Sequence, residues 1–89
     1  MNQEWKEKAA KMSGVPKDVS MGLPILTITG AEELCVENYR GMTEYTDQLI
    51  RLQSRCGQIR ITGEKLEVTY YTNDEMKIQG HIRTIEYQA

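Results

Sequence analysis

The chain has 89 residues, 39% of them hydrophobic and 27% charged, with a formal net charge of −2. That length allows one domain, and the balance excludes global disorder. A charge so near zero argues against a nucleic-acid module, which needs a basic stripe to displace phosphate counterions. No run approaches the roughly 18 consecutive apolar residues of a membrane span. Asn2, Gln3 and Glu4 leave no room for the apolar region of a secretory signal, so a soluble cytosolic domain is expected.

Residues 2–13 read as a short amphipathic helix. Asn2 serves as N-cap, and Trp5, Ala9 and Met12 fall on one face at i, i+4 and i+7. Glu4 with Lys8, and Glu7 with Lys11, are i,i+4 pairs with the acid placed first. Gly14 supplies the stop and Pro16 forbids continuation. So short a helix does not hold alone in water, so it must dock on the domain, on a partner or on a membrane surface. The organisation expected is this helix and its linker over 1–22, followed by a β domain over 23–89.

From Pro24 the texture changes to apolar–polar alternation broken by turn residues, the signature of strands. Leu26 and Ile28 point one way until Gly30. Leu34 and Val36 do so until a turn at Asn38-Tyr39-Arg40-Gly41. Ile59 and Ile61 lead to Gly63, then Leu66, Val68 and Tyr70 to Asn73-Asp74. Met76 and Ile78 lead to Gly80, and Ile82, Ile85 and Tyr87 close the chain. The other face reads Gln58, Arg60, Lys65, Glu67, Glu75, Lys77, Gln79, Arg83 and Glu86, a mixed-sign wet surface that suits antiparallel pairing. The fold class expected is mostly β: a small antiparallel meander or barrel of six to seven short strands with the short N-terminal helix. Residues 42–56 fit two patterns. Tyr45, Leu49, Leu52 and Cys56 make a helical stripe with Thr43 or Thr46 as cap, whereas Ile50 and Leu52 also alternate as a strand would.

Leu26-Thr27-Ile28-Thr29-Gly30, Ile59-Arg60-Ile61-Thr62-Gly63 and Met76-Lys77-Ile78-Gln79-Gly80 share one signature, two apolar residues and a closing glycine. Their spacing fits duplicated hairpins or a short solenoid, but the unit around Tyr45 lacks the signature. The runs are therefore read as strand terminators in one compact sheet.

Little of this sequence is equipped for chemistry. His81 is the single histidine, which excludes a histidine metal cluster or a His–His acid–base pair, and it reads as a solvated turn residue. Cys35 and Cys56 lack zinc-ligand spacing and read as two packed thiols rather than a disulfide. No phosphate-binding glycine loop occurs. Glu32-Glu33 and Asn73-Asp74-Glu75 fall in expected turns, where adjacent acids are solvated. No enzymatic activity, metal or cofactor is expected. Trp5, the single Trp, either staples the helix to the sheet or anchors a partner. Tyr70 and Tyr71 fall on opposite faces of one strand, so at least one is expected to be exposed.

Several segments together resemble the YqfC/YabP family of sporulation proteins of endospore-forming Firmicutes, closer to its YqfC branch. They are Trp5-Lys6-Glu7-Lys8, Pro16-Lys17-Asp18-Val19, Leu23-Pro24, Val36-Glu37-Asn38-Tyr39-Arg40-Gly41, Glu44-Tyr45 and Ile50-Arg51-Leu52. The later blocks are Gly57-Gln58-Ile59-Arg60-Ile61-Thr62-Gly63, Leu66-Glu67-Val68 and Ile78-Gln79-Gly80-His81-Ile82. The resemblance favours strand over helix in 42–56. It implies a protein of the mother cell, held in the cytoplasm or peripheral to a membrane through a partner, whose genes accompany a membrane protein. It carries over no catalytic residues and no cofactor. The function expected is that of a non-enzymatic assembly, scaffold or adaptor factor with a sporulation membrane protein as partner, or a homo-oligomer. Trp5, Tyr39, Arg40 and Tyr71 are the candidate partner-binding residues. In the segment Glu37 to Gly41, Asn38 is read as capping a turn that Gly41 completes, with Arg40 pairing to Glu37 or reaching a partner. The alternative is a small nucleic-acid-binding barrel using Arg51, Arg55, Arg60 and Lys77.

Overall fold

The computed structural model describes residues 22–88. The expected helix over 2–13, with Trp5 on it, lies outside the described residues. Within them the chain forms six strands: β1 (Ile25–Thr29), β2 (Glu33–Glu37), β3 (Tyr39–Tyr45), β4 (Leu49–Ser54), β5 (Gly57–Tyr71) and β6 (Glu75–Gln88). They make one antiparallel sheet in the order β1-β2-β6-β5-β4-β3. Strands β3 to β6 form a meander, and the β1–β2 hairpin is added along β6. The sheet is thus neither a plain meander nor a closed barrel, since β1 and β3 remain edges.

Asn38 sets this order. It is the sole residue between β2 and β3, and it sits in the left-handed region at φ 67°, which Asn tolerates better than most residues. A single residue is too short for a hairpin that would pair β3 with β2, so the chain crosses over instead. Asn38 N donates to Asp74 O at 2.7 Å and its Nδ2 donates to Leu23 O at 3.0 Å, which fixes the crossing. The turn expected over Asn38 to Gly41 is therefore confined to Asn38. Tyr39, Arg40 and Gly41 are already strand, and Gly41 closes nothing.

A second correction concerns strand length. β5 runs for 15 residues and β6 for 14, and both pass through the glycines expected to end them. The β5–β6 register shifts at Thr62/Gly63, between Glu64 and Glu67, and between Val68 and Tyr70. Lys65, at φ 54°, lies in the middle bulge. Bulges bend a strand and increase its twist. Here they fold one sheet back on itself into two layers, as strands do when they turn a corner between packed sheets. One layer holds β1, β2, the first part of β6 and the last part of β5. The other holds β3, β4, the first part of β5 and the last part of β6. The backbone loosened by the bulges finds partners in the neighbouring turns. Gly63 N donates to Gln48 O at 3.0 Å and Leu66 N to Asp47 O at 2.8 Å, while Gly80 N reaches Glu32 O at 3.1 Å and Ile82 N reaches Ala31 O at 2.7 Å.

One core lies between the layers. Leu34, Val36, Met76 and Ile78 come from the first, Ile50, Leu52, Ile59 and Ile61 from the second, with Tyr39 and Leu66 joining them. Ile50 and Leu52 are inward as strand alternation requires, whereas Tyr45 and Cys56 of the alternative helical stripe are exposed. Thr46, readable as a helix cap, instead closes the β3–β4 hairpin. Its Oγ1 accepts from Gln48 N at 3.1 Å and from Leu49 N at 2.8 Å. The bulge before Tyr70 also moves the tyrosines. Val68 stands opposite Ile78 and Tyr71 opposite Met76, while Tyr70, expected inward, stands opposite Lys77 on the outer face. Ile28, expected inward, shares a face with Leu34 but is 54% exposed because β1 is an edge.

Candidate functional site

The described residues offer surfaces rather than a cleft. Tyr39 opens β3 and is buried; its hydroxyl donates to Thr72 O, and its ring lies 6.2 Å from that of Tyr71. Burial, and then the neighbouring Tyr71 and Asp74, push the Tyr39 phenol above its ordinary value. The folded state therefore holds this proton more tightly than the unfolded chain does. That stabilising contribution is complete below the unfolded tyrosine value of about 10 and is lost as pH rises through the folded value. Tyr39→Phe is expected to remove this part of the alkaline decline in stability, read as a smaller loss of melting temperature above about pH 10. It also costs the bond to Thr72 at neutral pH, on the order of 1 kcal/mol.

Arg40 is exposed on β3 and makes no ion pair among the described residues. Tyr71 is 59% exposed beside Tyr39. The fold thus brings Tyr39 and Tyr71 together, with the Tyr39 ring turned into the core. Arg40 follows it on the edge strand, and Trp5 lies outside the described residues.

Sequence reasoning missed the edge itself. β1 carries no charge, no proline and no register shift between Ile25 and Thr29. Thr27, Ile28 and Thr29 are all exposed, and Leu23 just before the strand is 45% exposed. Natural edge strands are ordinarily blunted by charge, proline or bulges. β3, the other edge, has such protection in Arg40, Glu44 and two register shifts. β1 has none. The signal available was the uncharged run Ile25–Thr29, but nothing local showed that this strand would be an edge.

The sequence profile of the YabP family matches residues 23–89, which include all six strands. The chain belongs to the YabP family. It is 30% identical over 83 residues to the uncharacterized protein YqfC of Bacillus subtilis (strain 168), an alignment that spans 93% of this chain and 86% of that protein. No solved structure matches.

On this YabP-family sheet Arg51, Arg60 and Lys77, three of the four cations expected to form a basic strip, are matched by acids and divided between layers. Arg51 lies 3.5 Å from Glu44 and Arg60 lies 3.7 Å from Glu86, on the outer face of the β3–β4 layer. Lys77 is on the other layer, 3.0 Å from Glu33. The hydrogen bond between these two holds the Glu33 carboxyl below its ordinary value and the Lys77 ammonium above its own. Both groups are partly exposed, so solvent screening leaves little stability in the pair. His81 is exposed on β6 rather than in a turn, with Nδ1 3.6 Å from Glu32. Both cysteines are free. Cys35 is half-buried, and Cys56 is exposed with Sγ 3.4 Å from Ser54 Oγ, so the pair is not the packed one expected. Among the described residues no group of His, Cys, Asp and Glu could hold a metal ion, and no helix is long and apolar enough to cross a membrane.

Proposed function

We propose that this YabP-family protein is a non-enzymatic assembly, scaffold or adaptor factor of sporulation, working in the mother cell through a membrane-protein partner or by self-association. The sporulation setting rests on family membership. The mode of action rests on one observation, the unprotected β1 edge with Ile28 uncovered beside it. An added strand from a partner would take up the outer backbone groups of β1 and lay its own apolar residues over Ile28, the arrangement of β-strand addition.

The test is recovery of the tagged full chain from sporulating cells. The wild type is expected to bring down a membrane protein or further copies of itself. Ile28→Lys, which places a charge at the edge without touching the core, is expected to reduce that recovery about tenfold, the equivalent of about 1.4 kcal/mol. Recovery of the wild type only as a free monomer, outside the membrane fraction, would end this reading.

A further inference from the structure

The hydrogen bonds on the far side of β2 fix which backbone groups β1 leaves open. Asn38 N donates to Asp74 O and Gly80 N to Glu32 O, one bond at each end of the β2–β6 ladder. In an antiparallel ladder the direction of these bonds alternates from one residue to the next. Leu34 and Val36 therefore turn their backbone groups toward β6, and Glu33, Cys35 and Glu37 turn theirs toward β1. Their partners Thr29, Thr27 and Ile25 are thus engaged. The N–H and C=O groups of Leu26 and Ile28 face outward. Both side chains lie on the core side of the sheet, the face of their partners Val36 and Leu34.

A second copy of β1 fits this pattern in one register. Antiparallel pairing must set outward-facing residues against outward-facing residues. With a two-fold axis at Thr27, Leu26 of each copy stands opposite Ile28 of the other. Every outward group of both residues is then bonded, and the apolar face runs on across the junction with Ile28 covered. Moving the axis to Leu26 would set Ile28 against Pro24, which has no N–H to give. Moving it to Ile28 would set Leu26 against Gly30, which lies in the turn at φ 57°. β1 carries no charge, so no like charges oppose the pairing. At the axis Thr27 meets Thr27, a favourable cross-strand pair.

We infer that β1 is a homodimer edge, pairing antiparallel with β1 of a second copy about a two-fold axis at Thr27, so that one sheet runs through both copies. The inference rests on the reading of β1 as an assembly edge and names its occupant. Thr27→Cys tests it in a Cys35→Ser, Cys56→Ser background, because Cys35 is the register partner of Thr27 and would otherwise capture the new thiol. Mild oxidation of the full chain is expected to give a disulfide-linked dimer with the far-ultraviolet β signal retained, since directly opposed positions meet the limit of about 7 Å between Cα atoms. Thr29→Cys in the same background faces Ile25 of the other copy, which puts the two thiols about 13 Å apart. It is expected to cross-link about tenfold more slowly, and adding Ile28→Lys to Thr27→Cys should remove the dimer. No cross-link at position 27 in a folded chain, or equal cross-linking at 27 and 29, would overturn the inference. Were the edge to serve a different protein, Thr27→Cys would stay monomeric while Ile28→Lys still lost a membrane protein from sporulating cells. That outcome removes the homodimer and keeps the assembly reading.

Discussion

Gly63→Ala is expected to abolish the folded state or to remove about 4 kcal/mol or more of its stability. A Cβ at this position would lie 2.1 Å from His81 O and 3.0 Å from Leu66 Cδ2. The carbonyl cannot step aside, because the neighbouring Glu64 and His81 are register partners across the bulge. Gly80→Ala should be comparably damaging. Its Cβ would meet Lys65 O at 2.5 Å, and its φ of 141° is one that side chains rarely adopt. A domain of this size has roughly 5–10 kcal/mol in total, so either change leaves little. Gly41→Ala is the control. Nothing lies within 4 Å of its Cβ and its φ is not positive, so the substitution should be neutral or stabilise slightly. Urea unfolding of the three variants separates the corner glycines from an ordinary one. Wild-type-like midpoints for Gly63→Ala and Gly80→Ala would remove the corner from this account.

Leu52→Ala and Leu34→Ala should each cost about 3 kcal/mol, the usual loss for emptying a fully buried leucine site. They belong to different layers, and each is completely buried in the same core cluster. Both should therefore lower one shared cooperative transition rather than melt one layer and spare the other. Ile28→Ala, on the exposed edge, should change stability by about 0.5 kcal/mol or less. Thermal unfolding followed at the tyrosines and in the far ultraviolet would show the difference. Two separate transitions in either leucine variant would mean that the layers do not share a core.

The class of the fold was legible because alternation is a local signal. Leu34, Val36, Ile50, Leu52, Ile59, Ile61, Met76 and Ile78 all turned inward as their spacing required. The glycines were legible as special but not for their role. Whether a glycine ends a strand or bends it depends on the backbone opposite, here His81 and Lys65, which no local pattern shows. The bulges left a trace, since Ile82 and Ile85 stand three apart where strict alternation needs two. The register places both on one face, Ile82 opposite Gly63 and Ile85 opposite Ile61. A break of that kind signals an extra residue but not the direction of the resulting bend.

The candidate site was less legible. Tyr39 sits in the Val36-to-Gly41 segment of the family resemblance, yet its ring is in the core, bonded through its hydroxyl to a turn 33 residues away. Being an edge is a property of the whole topology, so the exposure of β1 could not be read from Ile25–Thr29 alone. The same crossing at Asn38 that removes β3 from the side of β2 frees that side for β6. The core depends on this pairing.

The pairing of β2 with β6 is open to one direct test. Lys77→Cys in a Cys56→Ser background places two thiols at register partners, Cys35 and position 77. Mild oxidation is expected to give a full intramolecular disulfide with the β signal retained, since directly opposed strand residues meet the distance a disulfide needs. A Cys35 that stays reduced there, but cross-links to a thiol introduced by Gly41→Cys on β3, would show a simple β2–β3 hairpin and contradict the folded-over sheet.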